Sequence, residues 1–275
     1  MKKRIVFTVV VLLVILGINI VTYRYVSKKN RVLFDKTFVF SGTGYYAVEH
    51  NRNVNVSFVL IDTKGIVGEI ADGQYKGTLC GSKETGRTVA LDEVKISLLN
   101  AYNSYSVYRI TCELDSRKLS DGAENFFALK LIGRTGDVLF DLPIGNVIVE
   151  RIEETEPCSQ IDIGYFLIED TAGEYRLYVD NNSEETLRID GILFKTAKGK
   201  VLGEWSNGCN TVEAGEKGAE LSFMFDTKEN LTYIQPVVFY TVGNKQHSEI
   251  AKASTSYMGE IGKEDIIEYI EENLQ

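Results

Sequence analysis

The sequence of 275 residues contains few of the residues on which enzyme active sites most often depend. It has only two histidines, His50 and His247, and neither lies in a catalytic or metal-binding motif. The patterns G-x-S-x-G of serine hydrolases, H-E-x-x-H of zinc peptidases and G-x-x-x-x-G-K-[ST] of phosphate-binding loops are all missing. We therefore predict no catalytic residue, no metal ligand and no cofactor.

Proline is scarce, at three residues, and no two cysteines have the C-x-x-C spacing of redox motifs and zinc ribbons. By contrast, the chain has fifteen tyrosines, thirteen phenylalanines and 24 glycines. Aromatic residues favour strands, and glycine favours the tight turns between them. This composition indicates an all-β protein.

A basic surface that would attract nucleic acid is also missing. Residues 1–36 hold eight of the 30 basic and one of the 39 acidic residues, so the remaining 22 basic and 38 acidic residues give residues 37–275 a net charge of −16. Such a surface repels phosphate backbones, and no lysine and arginine stripe with interleaved aromatics occurs. We exclude nucleic acid as a partner.

One long apolar run lies near the start of the chain. Residues 5–23 (IVFTVVVLLVILGINIVTY) carry no charge, and as a helix they would reach roughly 28 Å, close to the thickness of a bilayer core. A cleaved signal peptide has a shorter apolar region and ends in small residues, whereas this run ends in Tyr23, Arg24 and Tyr25. We predict an uncleaved transmembrane signal-anchor helix over residues 5–23 that contacts membrane lipid.

Basic residues flank this run on both sides, so charge alone does not set its orientation. Long domains are translocated largely regardless of their charge, and residues 1–4 are only a short tail. We predict a single-pass protein of the cell membrane, with a cytoplasmic tail over residues 1–4, a basic juxtamembrane linker over residues 24–36 and the bulk of the chain extracytoplasmic.

Period-two alternation of apolar and polar residues predicts strands along most of the chain. In NVNVSFVLID, for example, Val54, Val56, Phe58 and Leu60 fall on one face. The charged stretch ERIEETEP separates two such series, so we predict a first β-sandwich domain over residues 37–152 and a second, immunoglobulin-like β-sandwich over residues 157–260. The first domain has a comparable number of strands, and we predict the same architecture for it.

Near the end of the chain, the spacing of apolar residues changes from the period of a strand to the period of a helix. In KEDIIEYIEENL, Ile266, Ile267, Ile270 and Leu274 share one helical face, which predicts a short amphipathic α-helix within residues 261–275. We expect this face to dock on the second domain. The alternative is that the helix binds a partner.

One stretch of the second domain resembles a known family. RLYVDNNSEETLRIDGILFKTAKGKVL, followed by VEAGEKGAELSFMF, is similar to the FxLYD-type immunoglobulin-like domains of membrane-anchored bacterial envelope proteins. The likeness covers roughly residues 160–245 and rests on Asn181, Asn182, Gly199, Lys200, Val201, Gly215 and Glu216, while Gly191 and Lys195 replace the Phe and Asp of the family name. The resemblance implies an anchored binding or structural module without catalytic residues.

The four cysteines divide evenly between the two predicted domains, as Cys80 and Cys112 in the first and Cys158 and Cys209 in the second. Outside the cytoplasm, this division favours the disulfides Cys80–Cys112 and Cys158–Cys209, although four cysteines allow three pairings. If the domains are cytoplasmic, four thiols are expected instead.

These observations predict a membrane-anchored extracytoplasmic protein that binds or scaffolds a protein or glycan of the cell envelope. Tyr102 and Tyr105, in NAYNSYSVY, are candidate binding aromatics, although cross-strand packing explains them equally well. The alternative function is a carboxylate-dependent enzyme that acts on an envelope polysaccharide, because two acidic side chains suffice for glycoside hydrolysis.

Overall fold

The computed structural model describes residues 18–22, 37–40, 42–67, 75–81, 86–102, 105–133, 136–153, 155–169, 174–196, 199–202, 204–205, 210–224, 231–251 and 254–255, together with Ile266 and Tyr269. Nearly all of the regular structure in these residues is β-strand, which confirms the predicted all-β class.

The first half of the chain forms two sheets that face each other. One contains, in order across the sheet, β1 (Phe38–Val39), β3 (Asn53–Asp62), β7 (Ser106–Asp115) and β6 (Glu93–Ala101). The other contains, in order, β2 (Gly42–Glu49), β9 (Val138–Ile152), β8 (Gly122–Ile132), β4 (Lys76–Cys80) and β5 (Thr88–Ala90). A 3₁₀ turn, Ser116–Lys118, follows β7.

The second half also forms two facing sheets. One contains β10 (Ile161–Glu169), β11 (Glu174–Asn181), β16 (Ala219–Met224) and β14 (Glu204–Trp205), in that order. The other contains β13 (Gly199–Leu202), β12 (Leu187–Thr196), β18 (Val237–Val242) and β19 (Lys245–Ile250), and β15 (Thr211–Val212) pairs with β12. The dipeptide Gly243 and Asn244, whose residue types are typical of two-residue hairpin turns, joins β18 to β19.

A shared sheet joins the two halves. The period-two segment around TYIQPVVFYTV is divided at Pro236, and the strand before this proline, β17 (Leu231–Gln235), leaves the second sandwich. β17 pairs in parallel with β2, where Tyr233 lies opposite Gly44, and β20 (Ser254–Thr255) pairs with the other edge of β17. The sheet of the first sandwich thereby extends to seven strands. The strand pairs β17–β20 and β18–β19 therefore form one hairpin that contributes to both sandwiches.

Two hydrophobic cores lie on opposite faces of this shared sheet. The first core receives Val54, Val56, Phe58 and Leu60, which confirms the predicted inward face of β3. On β2 the side chains alternate between the cores: Tyr46 and Val48 point to the first, and Tyr45 and Ala47 to the second. Because both faces of β2 are buried, the two sandwiches are packed against a common strand rather than joined by a linker alone.

The two residues that the structure describes near the end of the chain pack on the first sandwich, not on the second as we expected. Ile266 and Tyr269 are helical and buried, and they belong to a third apolar cluster with Phe38, Phe40 and other residues of the first half. The Tyr269 ring stacks on Phe38 and Phe40 at centroid distances of 5.5 and 4.3 Å. The remaining residues of the predicted helix lie outside the described part of the chain.

Most of the predicted membrane anchor, its basic linker and the tail before it lie outside the described residues. Residues 18–22 are helical, and Ile18, Ile20 and Val21 are exposed. Within the described ranges, no helix is both long enough and apolar enough to cross a bilayer.

Candidate functional site

A small cleft opens where β1 ends and the chain crosses from one sheet of the first sandwich to the other. The last contact of this segment with β3 is the hydrogen bond from the Phe40 amide to the Val59 carbonyl, at 2.8 Å. At Ser57, the next outward-facing residue of β3, the Tyr46 hydroxyl pairs with the backbone groups that a neighbouring strand would otherwise pair with. It accepts a hydrogen bond from the Ser57 amide at 3.1 Å and donates one to the Ser57 carbonyl at 3.4 Å. This side chain closes the edge of β3 and forms one wall of the cleft.

The second wall comes from the other half of the chain. Tyr233, on β17, stacks on Tyr46 with ring centroids 4.3 Å apart and 19° between the ring planes. Gly44, opposite Tyr233, leaves the space beside the rings open, since an added Cβ would contact Tyr46 Cε2 at 3.4 Å. Burial raises the pKa of Tyr233 to about 12, although nearby Arg109 opposes the shift. The Tyr233 hydroxyl is therefore protonated at neutral pH and can donate a hydrogen bond.

Arg109 supplies the only charge in the lining of this cleft that the described residues provide. It lies on β7 between Val59 of β3 and Ser97 of β6, on the face opposite the first core. Arg109 is a half-buried residue, and its guanidinium forms no hydrogen bond or ion pair with any residue in the described part of the chain. Five N–H donors and a permanent positive charge are thus available to a ligand.

The cleft itself is narrow and mostly apolar. Its volume is about 40 Å³, which is room for about three water-sized groups. The described residues that line it are Phe40, Gly44, Tyr46, Ser57, Phe58, Val59, Arg109, Ile144, Val147 and Tyr233. None of these residues carries a carboxylate, so they do not supply the pair of acids that the alternative glycosidase function requires.

The two candidate aromatics, Tyr102 and Tyr105, lie together but away from this cleft. Their rings stack at 4.6 Å, and the Tyr102 amide donates to the Tyr105 carbonyl at 2.8 Å. Tyr105 is only 5% exposed and packs in the third apolar cluster, whereas Tyr102 is 39% exposed. Only Tyr102 therefore presents a ring face to solvent, and its role in binding stays a prediction.

The predicted Cys80–Cys112 disulfide is not present. Cys112 lies on the core side of the sheet that contains Cys80, whereas the Cys80 side chain points away from that core. Cys112 is fully buried in the first core, while Cys80 lies on the outer face of β4, near Lys130 and Asp141. Burial raises the pKa of both thiols. Cys158 is also a free thiol, and its predicted partner, Cys209, lies outside the described residues.

The residues that carry the FxLYD resemblance have structural roles where the structure describes them. Asn181 is fully buried, and its Nδ2 donates to the carbonyls of Glu185, Val212 and Glu213 at 2.9–3.1 Å. Its Oδ1 accepts from the amide and hydroxyl of Ser183. Gly215 adopts a φ of 74° in the turn before β16. These residues form turns of the second sandwich rather than a ligand site.

Sequence reasoning did not single out Tyr46, Arg109 or Tyr233, three of the four polar residues that line the cleft in the described part of the chain. Arg109 has the alternating position of an ordinary surface residue, and Tyr46 and Tyr233 are distant in the chain. The sequence signal for a shared strand was the adjacent pair Tyr45 and Tyr46. Neighbouring residues of a strand face opposite sides, so two adjacent buried tyrosines require a core on each side of the strand.

Comparison of the chain with models of known protein families, and with curated proteins, finds no match.

Proposed function

We propose that the chain is a membrane-anchored extracytoplasmic protein of the cell envelope that binds a ligand in the cleft between Arg109 and Tyr233. One observation carries this proposal: a half-buried arginine, whose guanidinium has no partner in the described chain, borders a small apolar cleft. Burial of an unpaired charge is costly for folding, so such a group is typical of binding sites. The proposed anchor is residues 5–23, of which residues 18–22 expose apolar side chains suited to lipid.

Both sandwiches are proposed to be immunoglobulin-like, and the second to be of the FxLYD type. An immunoglobulin domain has strands in the order A-B-E-D in one sheet and C-F-G in the other. The orders β1-β3-β7-β6 and β4-β8-β9 match this pattern in the first sandwich. The orders β10-β11-β16-β14 and β12-β18-β19 match it in the second.

The arrangement favours binding because both halves of the chain build the cleft. Tyr233 comes from the hairpin of the second sandwich, whereas Arg109 and Tyr46 belong to the first. A ligand that touches both tyrosines and the arginine therefore contacts the joint between the sandwiches. In this proposal the second sandwich holds Tyr233 in place and thereby completes the binding site of the first sandwich.

Site-specific photo-crosslinking in intact cells of the native host tests the proposal. A diazirine amino acid replaces Ser57, which lines the cleft, or Thr78, which is a half-buried, outward-facing strand residue of the other sheet. We expect a covalent adduct from position 57 and none from position 78. Equal labelling at both positions, or no adduct at either, would show that the cleft has no ligand in the envelope.

A further inference from the structure

We infer that the cleft binds a monocarboxylate that carries a small apolar group. This inference rests on the proposed function, since it names the chemistry of the ligand for the same site. The groups that would recognise the ligand are the Arg109 guanidinium and the Tyr233 hydroxyl, and the apolar wall is formed by Phe58, Ile144 and Val147.

The donor set requires an acceptor that is negatively charged. Arg109 has no acceptor capacity, and Tyr233 remains a protonated hydroxyl at neutral pH. A half-buried guanidinium without a carboxylate partner in the described chain pays a desolvation cost that an anion would offset. A cationic ligand is disfavoured because it would face Arg109, and the described residues that line the cleft include no acid.

The positive charge of the cleft matches a ligand that carries a single negative charge. Among the described residues, Arg109 is the one charged residue that lines the cleft, and residues 37–275 carry 22 basic and 38 acidic residues, a net charge of −16. Long-range repulsion from this acidic protein therefore acts more strongly on a phosphate dianion than on a carboxylate. A carboxylate also accepts two parallel hydrogen bonds from a guanidinium, and the Tyr233 hydroxyl provides a third donor.

The size of the cleft limits the apolar part of the ligand. A volume of about 40 Å³ holds about three heavy atoms, which is enough for a branched aliphatic end but not for the carboxylate as well, so the inference requires the carboxylate to lie at the open end of the cleft. Phe58, Ile144 and Val147 are each less than 7% exposed, so the wall that receives this group is already dry. The same chemistry occurs in a free short-chain acid and in the carboxyl-terminal residue of a peptide.

Titration of the full-length chain in lipid nanodiscs, followed by ligand-observed NMR, tests the inference. The probes are isovalerate, its neutral isostere isovaleramide and inorganic phosphate. We expect isovalerate to bind at least tenfold more tightly than either of the other two. Acetyl-Ala-Ala-Val and its carboxyl-terminal amide form a second pair, and this pair distinguishes a peptide end from a free acid.

Two variants of the cleft and one matched control complete the test. Arg109→Gln is expected to weaken isovalerate binding at least tenfold, and Tyr233→Phe is expected to weaken it three- to tenfold. Arg52→Gln removes the charge of an arginine whose side chain is 74% exposed, and it should leave binding unchanged. Thermal denaturation of each variant verifies that the fold is retained.

The outcomes separate the chemistry of the ligand from the function in the cell. Equal binding of isovalerate and isovaleramide, or an Arg109→Gln variant that binds as well as the parent, overturns the inference. If the photo-adduct at position 57 forms while neither acid binds, the carboxylate inference is wrong and the proposed function stands. If the acids bind through Arg109 but no adduct forms in cells, the chemistry stands and the proposed function is wrong.

Discussion

Glu150, on the last strand of the first sandwich, forms an ion pair with Lys195 on β12 of the second. The same carboxylate accepts a hydrogen bond from the Tyr45 hydroxyl at 2.7 Å. The Glu150 side chain is only 14% exposed, so its charge is largely removed from water and is balanced by groups from both sandwiches. This contact fixes the second sandwich against the shared strand β2.

Removal of either partner of this pair should destabilise the whole chain. We expect Glu150→Gln and Lys195→Met each to lower the free energy of unfolding by about 1–3 kcal/mol, because the remaining partner stays partly buried without its counter-charge. Urea denaturation of the full-length chain measures the effect. The matched control is Lys130→Met, which breaks the exposed Lys130–Asp141 pair and should cost less than about 0.5 kcal/mol. Equal effects at Lys130 and Lys195 would contradict the role of Glu150.

Gly145 is required for the parallel pairing of β2 with β9. Its φ is +81°, and an added Cβ would lie 2.3 Å from the Gly42 carbonyl oxygen. Gly145→Ala should therefore cost about 2–4 kcal/mol or prevent folding, since backbone atoms cannot move aside as a side chain does. Gly191→Ala is the control, because a Cβ at that position meets nothing within 4 Å. A melting temperature of Gly145→Ala equal to that of Gly191→Ala would show that the two strands separate in solution.

Docking of the carboxyl-terminal helix on the first sandwich predicts a large effect at Tyr269. This residue is 5% exposed, stacks on Phe38 and Phe40, and donates a hydrogen bond to the Val39 carbonyl at 3.3 Å. Tyr269→Ala should cost about 3–5 kcal/mol and Tyr269→Phe about 1 kcal/mol, as measured by chemical denaturation. Tyr102→Ala, at an exposed aromatic, should cost at most about 1 kcal/mol. Undiminished stability of Tyr269→Ala would mean that the helix is not docked.

Alkylation of the native chain should distinguish the thiols. We expect iodoacetamide to leave Cys112 unmodified until the chain unfolds, because Cys112 is fully buried and burial raises its pKa. Cys80 is half-buried and should react in the native state, although slowly, since burial raises its pKa as well. Mass spectrometry after denaturation without reductant should find both residues alkylated. A linked pair of peptides containing Cys80 and Cys112 would instead restore the predicted disulfide.

Local patterns were sufficient to predict several of the strands, although DLPIGN, which reads as a turn, lies inside β9. The alternation in NVNVSFVLID and SVYRITCELD predicts β3 and β7, because each strand has one face in a core and one outside it. Gly243 and Asn244 predict the β18–β19 turn for an equally local reason. In these segments the residues that determine the structure are neighbours in the chain.

The joint between the sandwiches was not predictable from such patterns. β2 pairs in parallel with β17, almost 190 residues later, and neither segment carries a local signal for this pairing. The disulfide prediction failed for a related reason, since the even division of the cysteines says nothing about the sheet face on which each lies. The cleft was not predicted for the same reason as the joint. Arg109, Tyr46 and Tyr233 come together only after the two halves of the chain have packed.

Protease treatment of intact cells that express the full chain with a carboxyl-terminal tag is the most direct test of an anchored protein with both sandwiches outside the membrane. Lysed cells serve as the control for tag accessibility. We expect the tag to be lost from intact cells as completely as from lysed cells. Protection in intact cells, with digestion only after lysis, would place the sandwiches in the cytoplasm and contradict an extracytoplasmic binding role.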